Sequence, residues 1–296
     1  MASESELISH ISQIFSAGQA PHVLVGIGDD AAVVEFQNSP KTRGTKRLVL
    51  AADMAVEGVH FNRSWSSLFE IGAKVTGANL ADICAMGATP LYILVSAALP
   101  KDFTVEEAGQ LAQGIVDEAS KVGAVVVGGD LSRAASDHLV ISLSVAGEVY
   151  EPITRSGAQV GHLVIINDYP GASAAGLELL REGINDERSA QHKRPIIDYE
   201  AAREFALAGV SSMIDISDSL ASELGHIARA SGVGIEILSD PRMNVHAGED
   251  HIFIATISPH LPMPRKAIEI GRVVLGKGVR LDGALLLHEG FKHFDQ

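Results

Sequence analysis

Cysteine is almost missing from this chain of 296 residues. A single one, Cys84, excludes any intramolecular disulfide and fits a reducing compartment. It falls between Ile83 and Ala85 in a predicted helix, where it reads as a small buried hydrophobe. Basic residues are also short: 23 Lys and Arg stand against 37 Asp and Glu, a net charge of −14. With no basic stripe to neutralise phosphates, nucleic acid is not expected as a partner. No apolar run is long enough to cross a bilayer, the longest lying near YILVSAALP, so no membrane association is expected. The opening MASESELISH has neither a basic region nor an apolar signal core, and a cytoplasmic location is expected. The histidines show no His-x-x-x-His pairing of the metal-binding kind.

What the chain has instead is aspartate in a repeated setting. Apolar, strand-like runs stop at Gly, Ala or Ser and then at Asp in HVLVGIGDD (Asp29, Asp30), RLVLAAD (Asp53), AVVVGGD (Asp130), SSMID (Asp215) and ISD (Asp218). Asp82 follows in NLADICAMGA, on a predicted helix. Carboxylates brought together at strand ends repel one another and hold raised pKa values unless cations neutralise them. Hard oxygen ligands of this kind suit Mg²⁺, which keeps several waters and bridges to substrate phosphates. The pattern points to a nucleotide-using enzyme.

The length allows two domains, each with its own core. Residues 3–17 read as an amphipathic helix, and strands follow at 22–27, 31–36 and 47–52, the last two joined by the polar loop QNSPKTRGTK. A long helix at 66–87 carries small residues that permit close packing against a sheet. A strand at 91–98, a helix at 104–121 opened by Thr104 and Glu107, and strands at 124–128 and 138–149 complete the first half. The segment 150–162, rich in Pro, Ser and Gly, marks a boundary between domains 1–150 and 151–296. The second half reads as strands at 163–167, 213–216, 233–238 and 252–257, helices at 172–182, 198–209 and 219–231, and a final hairpin at 270–282.

Each motif has a structural reading beside the functional one. Adjacent residues on an extended chain point opposite ways, so one of Asp29 and Asp30 is expected to face a site, unless the pair is only an Asp-rich turn. His60, in DMAVEGVHF, either contacts a substrate or is a satisfied structural histidine. The glycines of GGD at 128–130 would let backbone N–H groups approach a phosphate, though no Gly-Lys-Ser/Thr follows as in a Walker loop. In MIDISDSL, Ser217 or Asp218 would cap the next helix, whereas Asp215 between two isoleucines needs a partner to be buried at all. Arg155 in TRSGA offers a phosphate fork and Glu249 in AGED a polar contact, unless both are surface charges.

The joint order GIGDDAAVV, DMAVEGVHF, NLADICAMGA, VVVGGDLSR, TRSGA, SAAGL, MIDISDSLASELGHI, SGVGIEI, GED and terminal GFKHF resembles that of the thiamine-monophosphate kinases, from about residue 5 to the end. These belong with aminoimidazole ribonucleotide synthetase-like ATP-binding enzymes. The resemblance implies a two-domain α+β and α/β fold, its N-terminal mixed sheet with helices pairing across a homodimer and its C-terminal α/β domain completing the ATP site. It implies that Asp30, Asp53, Asp82, Asp130, Asp215 and Asp218 hold Mg²⁺, with Asp130 and Asp218 essential to turnover. Gly129, Asp130, Arg155 and Ser217 would contact ATP or its phosphates, and His60, Glu249 and Phe294 thiamine monophosphate. The activity implied is transfer of the ATP γ-phosphoryl group to thiamine monophosphate, a step of vitamin B1 cofactor biosynthesis.

Some positions depart from the family pattern. Ala51 and Ala52 replace Ser-Thr, Ala112 replaces an aromatic, Ser219 replaces Gly, and Gly161-His162 replaces Gly-Asp. The expected GEDYEL reads Gly248-Glu249-Asp250-His251-Ile252-Phe253, and the stretch 237–248 is shortened. Two alternatives stay open on these grounds: a related ATP-dependent enzyme with another acceptor, and a nucleotide-binding paralogue without catalysis.

Overall fold

The computed structural model describes residues 22–35 and 45–286. The helix expected at 3–17, most of the polar loop after residue 36, and Phe294 lie outside the described residues.

The first half forms β1 (Val23–Val25), β2 (Ala32–Val34), β3 (Arg47–Val56), α1 (Leu68–Ala85), β4 (Thr89–Leu99), α2 (Val105–Ser120), β5 (Val125–Arg133) and β6 (Val140–Val149). Its six strands lie in the order β1-β2-β3-β6-β4-β5, with β5 on the outer edge and parallel to β4. Both helices start on capping boxes, Ser67 with Glu70 and the expected Thr104 with Glu107. The glycines of α1 serve a helix contact as well as the sheet: a Cβ on Gly72 would meet the Leu111 carbonyl of α2 at 2.3 Å, and one on Gly114 the Phe69 carbonyl at 2.0 Å. One sheet face packs on these helices through Val49, Ile93, Ile141 and Leu143, all 0% exposed.

The other face is open, and the ladders give its rows. Leu50, Ala146, Tyr92 and Val125 form one row; Ala52, Ser144, Leu94 and Gly128 the next; Met54, Ser142, Ser96 and Asp130 the third. Leu50, Met54, Tyr92, Leu94 and Val125 are exposed large hydrophobics.

The second half forms β7 (Leu163–Ile166), α3 (Ala172–Arg181), a 3₁₀ turn (Glu187–Ser189) leading into α4 (Ala190–Lys193), α5 (Tyr199–Ala208), β8 (Ser212–Asp215), α6 (Leu220–Ser231), β9 (Gly234–Ile237), β10 (Phe253–Ile257), β11 (Ile268–Val274), β12 (Gly278–Leu281) and β13 (Ala284–Leu285). Its sheet runs β13-β12-β9-β11-β7-β10-β8. The C-terminal part of α1 (Ala81, Cys84, Ala85) shares a core with Ile165, Phe205, Phe253 and Ala255, so that helix lies between the two sheets. The fold class read from the sequence is the one observed.

Several local expectations are corrected. Strands β11 and β12 are not hairpin partners: β9 sits between them, antiparallel to β11 and parallel to β12. Asp53 and Asp130 lie within strands rather than at their ends, because β6 and β4 continue to supply ladder partners beyond the Ala-Ala and Gly-Gly pairs. The cap of α6 is Ser219, which accepts from the Ser222 N–H at 3.1 Å, rather than Ser217 or Asp218. The turn of 3₁₀ helix and α4 were not foreseen.

Candidate active site

Three segments bring their acids to one place. Asp30 comes from the tight β1–β2 connection, where Gly28 takes φ +120°. Asp82 comes from the last turns of α1 and Asp215 is the final residue of β8. One oxygen from each lies within 4.8 Å of the other two. The Asp30 side chain is 1% exposed; one oxygen accepts from Arg155 Nη2 at 2.7 Å, while Oδ2 is buried without a hydrogen-bond partner. Its neighbour Asp29 turns the other way and accepts the Arg155 backbone N–H at 3.1 and 3.2 Å.

Asp53 extends the group. It lies on the α1-facing side of β3, its N–H donating to Asn79 Oδ1 at 3.1 Å, and its carboxyl shares a hydrogen bond with Asp82. Asn79, one turn before Asp82, aligns helix and strand here. The electrostatics follow from burial first, with crowding added to it. Burial pushes the Asp30 carboxyl up to about 8, although Arg155 pulls it down, and Asp215 adds to the rise. Burial holds Asp82 well above the ordinary carboxylate range, reinforced by Asp215, Asp53 and Asp30. Burial likewise raises Asp53, with Asp215 contributing.

A second layer of residues was not read from the sequence. Glu223, on the first turn of α6, is buried beside Ser217 and Asp218, and burial plus the charge of Asp218 raises its pKa strongly. Its position, five residues after Asp218 on a helix face otherwise apolar, was the available signal. Lys74 on α1 is 8% exposed and lies 3.3 Å from Glu249 Oε1, whose other oxygen is 3.4 Å from His192 Nδ1. Burial raises Glu249, but Lys74, His192 and His251 together outweigh it and hold that carboxyl below its usual range. Burial, with Lys74 next in effect, pushes the His192 imidazole down to about 4. Asp250 holds the start of α3 by accepting from Gly171 N–H and Ser173 N–H, both at 2.8 Å.

The other candidates fall around this centre. His60 Nδ1 accepts the Val56 N–H at 3.0 Å, which matches the structural reading of that histidine. Asp130 is on the open face of the edge strand β5, opposite to the face that carries Asp53, with Ser132 Oγ donating to it at 3.3 Å. Ala52 shares the open face of Asp130, while Ala51 shares that of Asp53. A Cβ on Gly129 would overlap the Val95 carbonyl at 1.8 Å, so glycine is needed for the close strand approach itself.

An all-oxygen donor set with a buried, unpartnered carboxylate oxygen fits a hard divalent cation. Such a centre can hold and neutralise polyphosphates.

A family model described as AIR synthase related protein, N-terminal domain, matches residues 28–149. The thiamine-monophosphate kinase of Mycobacterium tuberculosis (strain CDC 1551 / Oshkosh) is 35% identical over 290 residues, covering 90% of this chain and 84% of the relative. That of Aquifex aeolicus (strain VF5) is 34% identical, covering 90% of this chain and 92% of its own. A solved structure described as AaThiL complexed with AMPPCP and TMP superposes with a TM-score of 0.86 at 30% identity, covering 99% of this chain and 97% of that one.

Proposed function

This chain belongs to the thiamine-monophosphate kinases, and we infer that it transfers the γ-phosphoryl group of ATP to the phosphate of thiamine monophosphate. An acceptor phosphate oxygen forms the new bond to the γ-phosphorus, the β–γ bridging bond breaks, and the products are thiamine diphosphate and ADP. The single observation that carries the reading is the convergence of Asp30, Asp82 and Asp215 from both halves of the chain, with one oxygen buried and unpartnered.

The residues divide by task. Asp30, Asp82 and Asp215 form the divalent-ion centre and Asp53 and Asp218 extend it, whereas Asp130, on the opposite face of the sheet, stands apart from it in this chain. Mg²⁺, when bound there, supplies charge neutralisation between two polyanionic reactants. Arg155, held by Asp29 and Asp30, stands at the rim of the centre with a guanidinium fork suited to phosphate oxygens. Gly129 and Ser217 contact ATP, and Glu249 and Phe294 the acceptor, with His60 held by the Val56 N–H as a structural neighbour. Alignment of the two phosphates is the larger part of the catalysis, because an ionised acceptor phosphate needs no dedicated base.

The working unit is a homodimer, and the chain divides near residue 150. In support, an exposed apolar sheet face with an unpaired edge strand is the sort of surface that monomers do not leave open. Asp130 stands on that face, where a second copy would enclose it. No helix among the described residues is long and apolar enough to cross a membrane, and a cytoplasmic location fits a kinase that draws on cellular ATP.

A coupled assay of ADP release tests the function. Release that depends on both thiamine monophosphate and a divalent ion, and that falls at least a hundredfold in Asp218→Asn, is the expected result. ATP binding with no acceptor-dependent ADP would overturn it.

A further inference from the structure

His251 stands where the family pattern has tyrosine, and its surroundings give it a task in the carboxylate centre. The segment from Gly248 to His251 is clamped along its length. Glu249 N–H donates to the Ser217 carbonyl at 2.8 Å and His251 N–H to the Ile216 carbonyl at 3.1 Å. Two of its residues are left-handed, Glu249 at φ +60° and His251 at φ +50°. That conformation is uncommon for non-glycine residues, and histidine is among those that adopt it most readily. The result is to turn the His251 ring inward, 7% exposed, with Nδ1 2.9 Å from Asp215 Oδ2.

A free carboxylate rotates broadly about its last torsion. Tying one oxygen of Asp215 to an imidazole fixes the plane of the group and therefore where its remaining lone pairs point. Asp215 sits within 4.8 Å of Asp30 and Asp82 through its ligand oxygen, whereas His251 is not itself one of the converging donors. We propose that His251 is a positioning residue for the divalent-ion centre, fixing Asp215 so that the ion meets three oriented carboxylates. The proposal rests on the divalent-ion reading given above. Tyrosine could supply a hydroxyl donor in its place, but from a different distance along the side chain, so the two residues are not interchangeable without local adjustment.

The test is a Mn²⁺ titration of the full chain followed by electron paramagnetic resonance, with the β,γ-methylene analogue of ATP present. His251→Phe keeps an aromatic ring and removes the nitrogen. His251→Asn restores a side-chain donor and tolerates a left-handed backbone. The expected result is a weakening of Mn²⁺ affinity by about ten- to a hundredfold in the Phe variant, the usual effect of losing a hydrogen bond to a metal ligand. Recovery of most of that loss is expected in the Asn variant, with unfolding temperatures in EDTA close to wild type for both. If the Phe variant does not fold, His251→Met replaces it in the same titration. Wild-type Mn²⁺ affinity in the ring or Met variant, or an Asn variant no better than they are, would overturn the role of His251. An Asp82→Asn variant with undiminished Mn²⁺ affinity would instead overturn the divalent-ion centre itself.

Discussion

Replacing Asp82 by asparagine separates stability from function in this centre. The ligand oxygens of Asp30, Asp82 and Asp215 are all within 4.8 Å of one another. At an effective dielectric of about 20, two full charges at that distance repel by about 3.5 kcal/mol. Three ionised groups make three such pairs, so the ion-free protein keeps at least one of them protonated. Burial, with Asp215 adding to it, raises the Asp30 carboxyl from 3.8 to about 8. The sign is as follows: the folded chain holds a proton that the unfolded chain releases between about pH 4 and pH 8. Stability without divalent ions is therefore fullest below the lower value and is lost as pH rises through the higher one. With one carboxyl protonated a single charged pair remains, and Asp82→Asn relieves at most that pair while keeping the shape of the side chain. An ion-free gain on the order of 2–4 kcal/mol is expected near pH 8, or roughly 4–10 °C in unfolding temperature. Scanning fluorimetry in EDTA and in saturating Mg²⁺, from mildly acid to alkaline pH, measures it. The variant should unfold later than wild type in EDTA, gain little from Mg²⁺, and lose acceptor-dependent ADP release. An Asp82→Asn protein less stable than wild type in EDTA, or equally stabilised by Mg²⁺, would refute this reasoning.

Further outcomes follow from the same structure. Lys74→Met should raise KM for thiamine monophosphate by about tenfold, while KM for ATP stays near wild type, because it frees Glu249 from its buried partner; equal changes in both constants would contradict that placement. Leu94→Lys, on the open sheet face, should shift light-scattering mass from dimer to monomer, and an unchanged dimer would place the contact elsewhere. Burial pushes the Cys84 thiol up to about 12, so iodoacetamide should leave it untouched in the native chain and label it fully in urea, as read by mass spectrometry. Rapid native labelling would show that α1 opens far more easily than its packing indicates.

Much of this was legible in the residues because the signals were local. Local pattern placed α1, α2, α3, α5 and α6, and Thr104 with Glu107 marked the start of α2 as expected, though the cap of α6 lay one or two residues later than expected. The repeated placement of aspartate after apolar runs pointed to converging carboxylates, and three of the six do converge closely. What was not legible depends on partners distant in sequence. Nothing near residues 268–281 announces that β9 inserts between β11 and β12. The Ala-Ala and Gly-Gly pairs read as strand ends, but the long partners β6 and β4 carry β3 and β5 past them. The face on which Asp130 lies follows only from the ladder rows. No local signal marks Lys74 on α1 as the residue that the fold buries against Glu249.

The central claim is that side chains from both halves of the chain jointly hold divalent ions for phosphoryl transfer. Anomalous diffraction from crystals grown with Mn²⁺, an ATP analogue and thiamine monophosphate tests it most directly. The account predicts metal peaks about 2.1–2.4 Å from carboxylate oxygens of Asp30, Asp82 and Asp215, beside the triphosphate. Nucleotide bound with its metal elsewhere, and Asp30, Asp82 and Asp215 contacting only protein, would contradict it.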